Sequence, residues 1–510
     1  MEYQVDLCVV GAAGSGMTAA IAARQAGVEK VLILEKQNAP GGCTVVSAGI
    51  MGIDTPAQKR QGLHYSRDEF YKDLMQIFNW NVDAMLVRKW INGTGKNFEW
   101  LEELGLKYDL AVTETADARR FRCTMHRIAE WDGTEWHMKP HGPFIVNTLK
   151  KGCERYGVQI LTKTRAKHLI QNEAGAVVGV EAEGPEGAIT VHAGAVILAT
   201  GSISANQELI SRFYGSDSFG KDIKIMASMP HNTGDGLVMA EEIGAQVGKV
   251  STLYIGPHLH WKDSSEMINM LQRRPHNMKV TMNGERFADE GIPTENEFGW
   301  MLSTCIDNLP GRCCYAIFDQ NLIDLTIAGE EYAVPTLVPS LLDKPMIGHG
   351  GWENEGYDPD RWRDHMMVHI EHMVERGYMK ICQTVEEMAE YIGCETETLQ
   401  NTIDRYNVFC AKKYDEDFLK NPAYLYPVAK APYYVIRGES GIDTCLGGVP
   451  VDSHQRILKA DGHAIPGLYG AGVMTSNWLG GNYAVNGAEM SYVIFSGRNA
   501  AEEAAKYIQK

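Results

Sequence analysis

The chain opens on a short apolar stretch with β-branched residues, Val5–Val10, whose pattern predicts a buried strand. It runs straight into Gly11-Ala12-Ala13-Gly14-Ser15-Gly16. Met17–Ala26 then follows as an alanine-rich stretch with strong helix propensity. Gly27 ends that helix, and Val31–Leu34 predicts a second strand, closed by Glu35. Strand, glycine turn, helix and strand make one βαβ unit of about 30 residues. Residues 158–191 read as short strands separated by glycine turns, and Val196–Leu198 is a buried strand ending at Ala199-Thr200-Gly201. Residues 231–250 hold a glycine turn and a helix, Leu237–Ile243, closed by Gly244. Beyond about residue 252 the rhythm is lost, aromatics, methionines and histidines become dense, and residues 355–415 read as mostly helical and charged. The last seventy residues return to strands and glycine turns and finish in a helix, about Gly487–Tyr507.

Composition narrows the class. A chain of 510 residues with 44% hydrophobic and 22% charged positions can bury an ordinary core in two to four domains. Its formal charge of −17 argues against nucleic acid as a partner, because phosphate backbones attract basic faces. No run of about 18 apolar residues predicts a membrane span. No basic leader followed by an apolar stretch is visible, so the expected compartment is the cytoplasm. The 11 cysteines include no CxxC, so neither haem attachment nor an iron–sulfur or zinc spacing is expected, and they read as reduced thiols, mostly small core residues.

The glycine turn carries the first chemistry. A pyrophosphate is bound by backbone N–H groups at a helix N-terminus with no Cβ in the way. Gly11 and Gly16 stand at the first and third glycine positions of that fingerprint, and the middle one is Ala13, a departure. Glu35 lies nineteen residues after Gly16 at a strand end, where a carboxylate reaches ribose hydroxyls. These residues predict dinucleotide binding without saying which dinucleotide.

Further segments carry a resemblance. Gly41-Gly42-Cys43-Thr44 with Ser47 and Gly49 forms one. Ala195–Gly201 with Asn206 is a second, and Thr233-Gly234-Asp235-Gly236 with Met239, Ala240, Gly244 and Ala245 a third. Asn283-Gly284-Glu285-Arg286-Phe287 with Asp289-Glu290 follows, then Gly447-Gly448-Val449, Ile465-Pro466-Gly467-Leu468-Tyr469 and Leu479-Gly480-Gly481-Asn482. In this order the chain resembles the FAD-dependent fumarate reductase and succinate dehydrogenase flavoprotein superfamily, which includes 3-ketosteroid Δ1-dehydrogenases and urocanate-type reductases. The resemblance implies a discontinuous α/β, Rossmann-like FAD-binding domain over residues 1–252 and 437–510, with an inserted α+β cap over 253–436 and an active site where they meet. It implies cofactor contacts from Gly11, Ala13, Gly14, Ser15, Gly16, Glu35, Lys36, Gly42, Cys43, Thr44, Ser47, Ala199, Thr200, Gly201, Asn206, Asp235, Gly472, Leu479, Gly480 and Asn482. Asp235 also suits a plain turn-forming role. The histidine that carries flavin covalently in respiratory members is replaced by Cys43, so the expected FAD is noncovalent.

The departures bear on substrate. Fumarate reductases grip two carboxylates with arginines and histidines, since a guanidinium matches a carboxylate. The family arginine before the C-terminal Leu-Gly-Gly is here Trp478. The arginine expected shortly after Tyr315-Ala316-Ile317-Phe318-Asp319 is absent, and the histidine before the glycine pair gives way to Asp443-Thr444-Cys445-Leu446. Tyr254, His258 and His260 lie where the family often has a histidine. Trp478, Tyr254, His260 and Thr444 are therefore the expected substrate-binding residues, although the aromatics would equally serve as core. Tyr483 and His258 are candidate proton carriers, with Glu290 and Arg286 as part of a relay or, equally, an ion pair of the cap. No metal is expected. The expected activity is reduction of an activated C=C bond of a small neutral, ring-containing substrate, a steroid enone or polyphenol-like compound, by hydride from flavin N5. Desaturation beside a ketone and service as a partner-dependent electron-transfer subunit are the rival readings. The electron donor is NADH or a separate redox protein.

Overall fold

The computed structural model describes residues 1–47, 49–106, 110–111, 125–127, 129–131, 136–138, 141–214, 230–258, 275–291, 301–328, 366–481, 483, 485 and 487–510. Contacts divide the chain into two units: the described residues within Met1–Thr113, Cys123–Leu253 and Asp443–Lys510, and those within Tyr254–Ile442.

The first unit is organised by β1 (Glu2–Val10), the helix α1 (Gly14–Gln25) and β2 (Val31–Leu34). β3 (Gln159–Leu161), β4 (Arg165–Gln171), β5 (Val177–Gly184) and β6 (Gly187–Leu198) follow, and β7 (Arg456–Leu458) and β8 (Ala464–Gly470) return from far along the chain. They form an eight-stranded sheet in the order β7-β8-β6-β1-β2-β3, with β5 on β6 and β4 on β5. β8, β6, β1, β2 and β3 run parallel, with Val10 level with Leu34 and Leu198, Leu34 with Leu161, and Leu198 with Gly470. A parallel sheet is buried on both faces, which is why β2 is apolar throughout and every residue of Val31–Leu34 is buried.

α1 owes its position to small side chains. Ala19, Ala20 and Ala23 are fully buried, and the helix lies against α2 (Ala488–Ile508), the last helix. The approach is close: a Cβ on Gly497 would stand 2.5 Å from the Ser15 carbonyl oxygen. α1 begins at Gly14, earlier than the alanine run suggested, because Gly14–Gly16 are themselves the first helical turn.

The second unit is an antiparallel sheet carrying helices. Cys313–Asp319 pairs with Met278–Val280 on one side and with Tyr433–Glu439 on the other, and Met379–Cys382 adds to Tyr433–Ile436. Helices Val385–Ile392 and Thr396–Lys412 share a core with it through Met388, Leu399, Ile403 and Tyr406. The described part of 355–415 is mostly helical as expected, with the strand Met379–Cys382 inside it, four residues long and too short for periodicity to separate from a helix.

This unit buries charge. The guanidinium of Arg286 is bidentate to Glu290 and bonds both oxygens of Asp415, at 2.8–3.1 Å. Lys420 Nζ lies 3.3 Å from Glu290 and donates to Tyr406 Oη, and Lys279 Nζ donates to Asn277 Oδ1 at 2.5 Å. Burial alone would raise the Glu290 carboxyl, but Lys420 and Arg286 outweigh it and hold it down at about 2. For Lys279, burial outweighs the attraction of Glu290, and Lys420 repels it, so its ammonium is pushed down to about 7.

The pH dependence follows in sign. Between about 7 and the ordinary 10.5 the unfolded chain carries a proton on Lys279 that the folded chain lacks. Its contribution therefore makes stability rise with pH across that window, by about 1 kcal/mol per pH unit. Below about 7 both states hold the proton and the contribution is flat. K279M should flatten the rise of the urea midpoint between pH 7.5 and 9.5. An unchanged slope would count against a neutral buried amine.

Candidate functional site

The C-terminal ends of the parallel strands are where an α/β sheet binds ligands. Four backbone bonds draw the chain together there: Gly11 N–H to Leu34 O, Ala199 N–H to Val10 O, Ala471 N–H to Leu198 O and Glu35 N–H to Leu161 O, each 2.8 Å. The turns after β1, β2, β6 and β8 are thus neighbours.

The turn after β1 has no room for side chains. Gly11 sits at φ +105°, and a Cβ there would lie 2.4 Å from the Ala199 carbonyl oxygen. A Cβ on Gly16 would lie 1.8 Å from the Gly11 oxygen. Ala13, the departure from the fingerprint, has φ −88° and ψ −169°, an extended conformation that costs alanine nothing. Ala13, the residue before α1, supplies no side-chain cap, and the first turn holds no acidic residue. Apart from the Gly14 N–H, which Thr44 takes, this N-terminus is bared by glycines and fits a pyrophosphate. Ser15 is buried beside Gly472, whose N–H donates to Ser496 Oγ at 2.8 Å.

The loop Gly42–Val46 is fastened to the same turn. Gly41 N–H donates to Ala12 O at 2.9 Å, and Thr44 Oγ1 accepts from Gly14 N–H at 2.9 Å. Cys43 Sγ accepts from Asn232 Nδ2 at 3.1 Å, and Asn232 also reaches Ser204. Ser47 Oγ donates to Gly49 O.

Glu35 is buried and already oriented. Its carboxylate accepts from the Ala12 and Gln37 N–H groups at 2.7 Å each, and an ionised carboxylate keeps lone pairs for further donors. Lys36 Nζ turns to Thr233 Oγ1 at 2.7 Å and Asp235 Oδ2 at 3.0 Å, while Arg165 holds Asp235 bidentately. Burial would raise the Asp235 carboxyl, but the bonds from Arg165, Lys36 and Thr233 outweigh it and keep it below its usual range. Burial and the neighbouring Lys36 lower His231. Asn206 Nδ2 donates to Thr233 O, and Thr200 Oγ1 accepts from Gly236 N–H. Gly201, at φ +77°, packs beside Asn232.

The C-terminal segment is also in this unit. Gly480 presses on Phe78 with no space for a Cβ, and Leu479 is buried. Tyr483 Oη accepts from the Glu489 N–H in the first turn of α2. Thr444 is half-buried. Trp478 is fully buried, stacked on Tyr492 at 4.2 Å between ring centroids and edge-on to Trp90. Its indole N–H donates to Thr475 O. Both its face and its donor are thus taken up inside the core, unlike the pocket wall expected from the sequence.

Arg286 and Glu290 belong to the buried cluster of the other unit, with their charges mutually satisfied. Tyr254 and His258 lie on the strand Gly248–His258, but their side chains, with His260 and Asn482, fall outside the described residues. The sequence reading passed over Arg165, His231, Asn232, Ser251 and Phe78. His231 and Asn232 adjoin the Thr233–Gly236 segment without being part of it, and the other three meet the site through tertiary contact alone, so no local motif marks them. Among the described residues no group of His, Cys, Asp and Glu could hold a metal ion, and no helix is long and apolar enough to cross a membrane.

Comparison with known proteins extends the picture. A family model described as FAD binding domain matches residues 6–489. A vinyl phenol reductase of Lactiplantibacillus plantarum is 26% identical over 98% of this chain and 96% of its own length. A urocanate reductase of Eggerthella lenta is 27% identical over 99% of this chain and 75% of its own. The open conformation of a flavocytochrome c3 fumarate reductase superposes with a TM-score of 0.69 at 25% identity, covering 100% of this chain and 79% of that one.

The turn makes opposite demands at two positions. Gly16→Ala should abolish flavin retention, because its methyl group has nowhere to go. Ala13→Gly should leave affinity within about threefold, since φ is already negative there. The ratio of flavin to protein absorbance after purification reads both. Retention of flavin by the Gly16 variant would contradict the packing described.

Proposed function

The chain belongs to the FAD binding domain family, an FAD-dependent oxidoreductase acting on CH–CH bonds, and from that premise we propose that it reduces an activated C=C bond in a small, neutral, ring-bearing substrate. FAD, when bound, supplies the hydride. What the chain must supply is a place for the substrate and a proton for the second carbon.

The placement of Tyr483 carries the reading. Its hydroxyl stands at the N-terminus of α2, a helix of 21 residues, and accepts a backbone N–H there. A helix N-terminus favours negative charge, so this position supports the phenolate left after proton donation. A positioned general acid of this kind is worth on the order of 10²–10⁴ in rate. The loop leading to it, from Trp478 to Tyr483, and the segment Thr444–Gly448 carry no Arg, Lys or His. A dicarboxylate would find no guanidinium on either segment, whereas an alkene conjugated to a ring needs none. Relatives named for reducing vinyl phenol and urocanate support a ring-conjugated alkene, and the vinyl phenol a neutral one. We assign Tyr483 as the proton donor and the second unit as the cap, with electrons from NADH or a separate redox protein.

The test is anaerobic. Mixing with NADH should bleach the flavin if the nicotinamide is the direct donor, and dithionite serves if it is not. Vinyl phenols and enones should then reoxidise the reduced protein on the order of 10² times faster than fumarate. Faster reoxidation by fumarate would sink the substrate assignment. Tyr483→Phe should slow turnover on the order of 10²-fold with FAD retained, and an unchanged rate would remove Tyr483 from the mechanism.

A further inference from the structure

The peptide between Gly480 and Gly481 is held by one atom. Ser251 Oγ donates to the Gly480 carbonyl oxygen at 2.9 Å, and both residues lie in the first unit. The peptide is trans, so its N–H, which belongs to Gly481, points opposite to that carbonyl. Gly481 itself is exposed, and a Cβ added to it would meet nothing within 4 Å. Gly480 is crowded, for Phe78 Cα and Cβ would stand 2.8 Å from a Cβ there.

The chain before this peptide is pinned as firmly. Trp478 is stacked on Tyr492 and bonded to Thr475 O. Thr475 Oγ1 is bonded to Gly472 O and Tyr492 Oη. Asn477 holds φ +74°, its carbonyl accepts from Asp83 N–H at 2.7 Å, and its amide donates to Val451 O. The backbone therefore reaches Gly480 in a fixed position, and Ser251 sets how the next peptide is turned.

We propose that Ser251 is a positioning residue that aims the Gly481 N–H at the flavin ring and thereby raises the flavin's reduction potential. This rests on the proposed function and takes FAD to bind with its ring at the Gly480–Gly481 segment, where the resemblance implies cofactor contacts. Ser251 itself does not touch the ring. A donor pointed at the ring's acceptor edge stabilises the reduced, more negative ring more than the oxidised one, because bonds to charged acceptors are the stronger. Freed of Ser251, the peptide turns to satisfy its carbonyl elsewhere, and the donor is lost from the site.

Midpoint potentials of purified flavoprotein, measured against a dye of known potential, decide the matter. Ser251→Ala should lower the preference for reduced over oxidised flavin about tenfold, a fall of about 30 mV for a two-electron couple. Ser251→Thr, which keeps the hydroxyl, should stay within about twofold of the parent, roughly 10 mV. Ser251→Val matches threonine in shape without the hydroxyl and should behave as the alanine variant, so the Thr and Val pair decides if the alanine variant does not hold flavin. Equal potentials for Thr and Val, or for parent and Ala, overturn the role of Ser251. Loss of FAD binding by the parent protein itself would instead overturn the reading of the site.

Discussion

The whole first unit turns on one contact that permits no side chain. The carbonyl of Gly11 faces Gly16, and Gly11 faces the carbonyl of Ala199, at distances where any Cβ would overlap backbone atoms. The clash is with main chain, which cannot swing aside as a side chain can. Closing this gap brings the end of β1 against the end of β6 and starts α1 directly beneath them. The other turns then fall into place by ordinary hydrogen bonding. Gly41 reaches Ala12, Thr44 reaches Gly14, and Glu35 reaches Ala12. The dinucleotide site follows from packing the turn as tightly as a backbone allows.

Local patterns announced this region because its determinants are local. An apolar strand, a glycine cluster and an alanine-rich helix follow one another within Val5–Ala26. Ala13 was harder to judge, since whether alanine suits the middle position depends on φ, and φ is set by the packing of Gly41 and Gly42 against it. The second unit was opaque for a different reason. Its strands Met278–Val280, Cys313–Asp319, Met379–Cys382 and Tyr433–Glu439 are short, far apart and antiparallel, and nothing in any one segment names its partner. Lys279 and Lys420 would be placed on the surface by composition, yet both are fully buried beside Glu290.

Trp478 shows how a motif position can be right about place and silent about orientation. The resemblance puts it directly before Leu479-Gly480, and it is there. Its ring turns inward because Tyr492, on α2, offers a parallel face at 4.2 Å and Trp90 an edge. Stacked and edge-on aromatic pairs are each worth about 0.5–1.5 kcal/mol beyond the area they bury. An arginine in the same place would need a carboxylate or solvent for its charge, and the two rings that meet Trp478, Trp90 and Tyr492, supply neither. The exchange therefore removes a cation and adds a buttress, and the two effects come from a single residue.

That buttress ties the loop after Trp478 to α2. Tyr492 lies one turn along α2 from Glu489, whose N–H holds the Tyr483 hydroxyl. Movement of the Trp478 ring would shift Leu479 and Gly480 at one end of the loop, and movement of α2 would shift Tyr483 at the other. Both ends are fixed by the same helix, whose small residues also pack it against α1 under the glycine turn. A proton donor must lie within about 3 Å of its target to be effective. The residues that would deliver the proton and those that would cradle the dinucleotide are thus referred to one element, the helix α2.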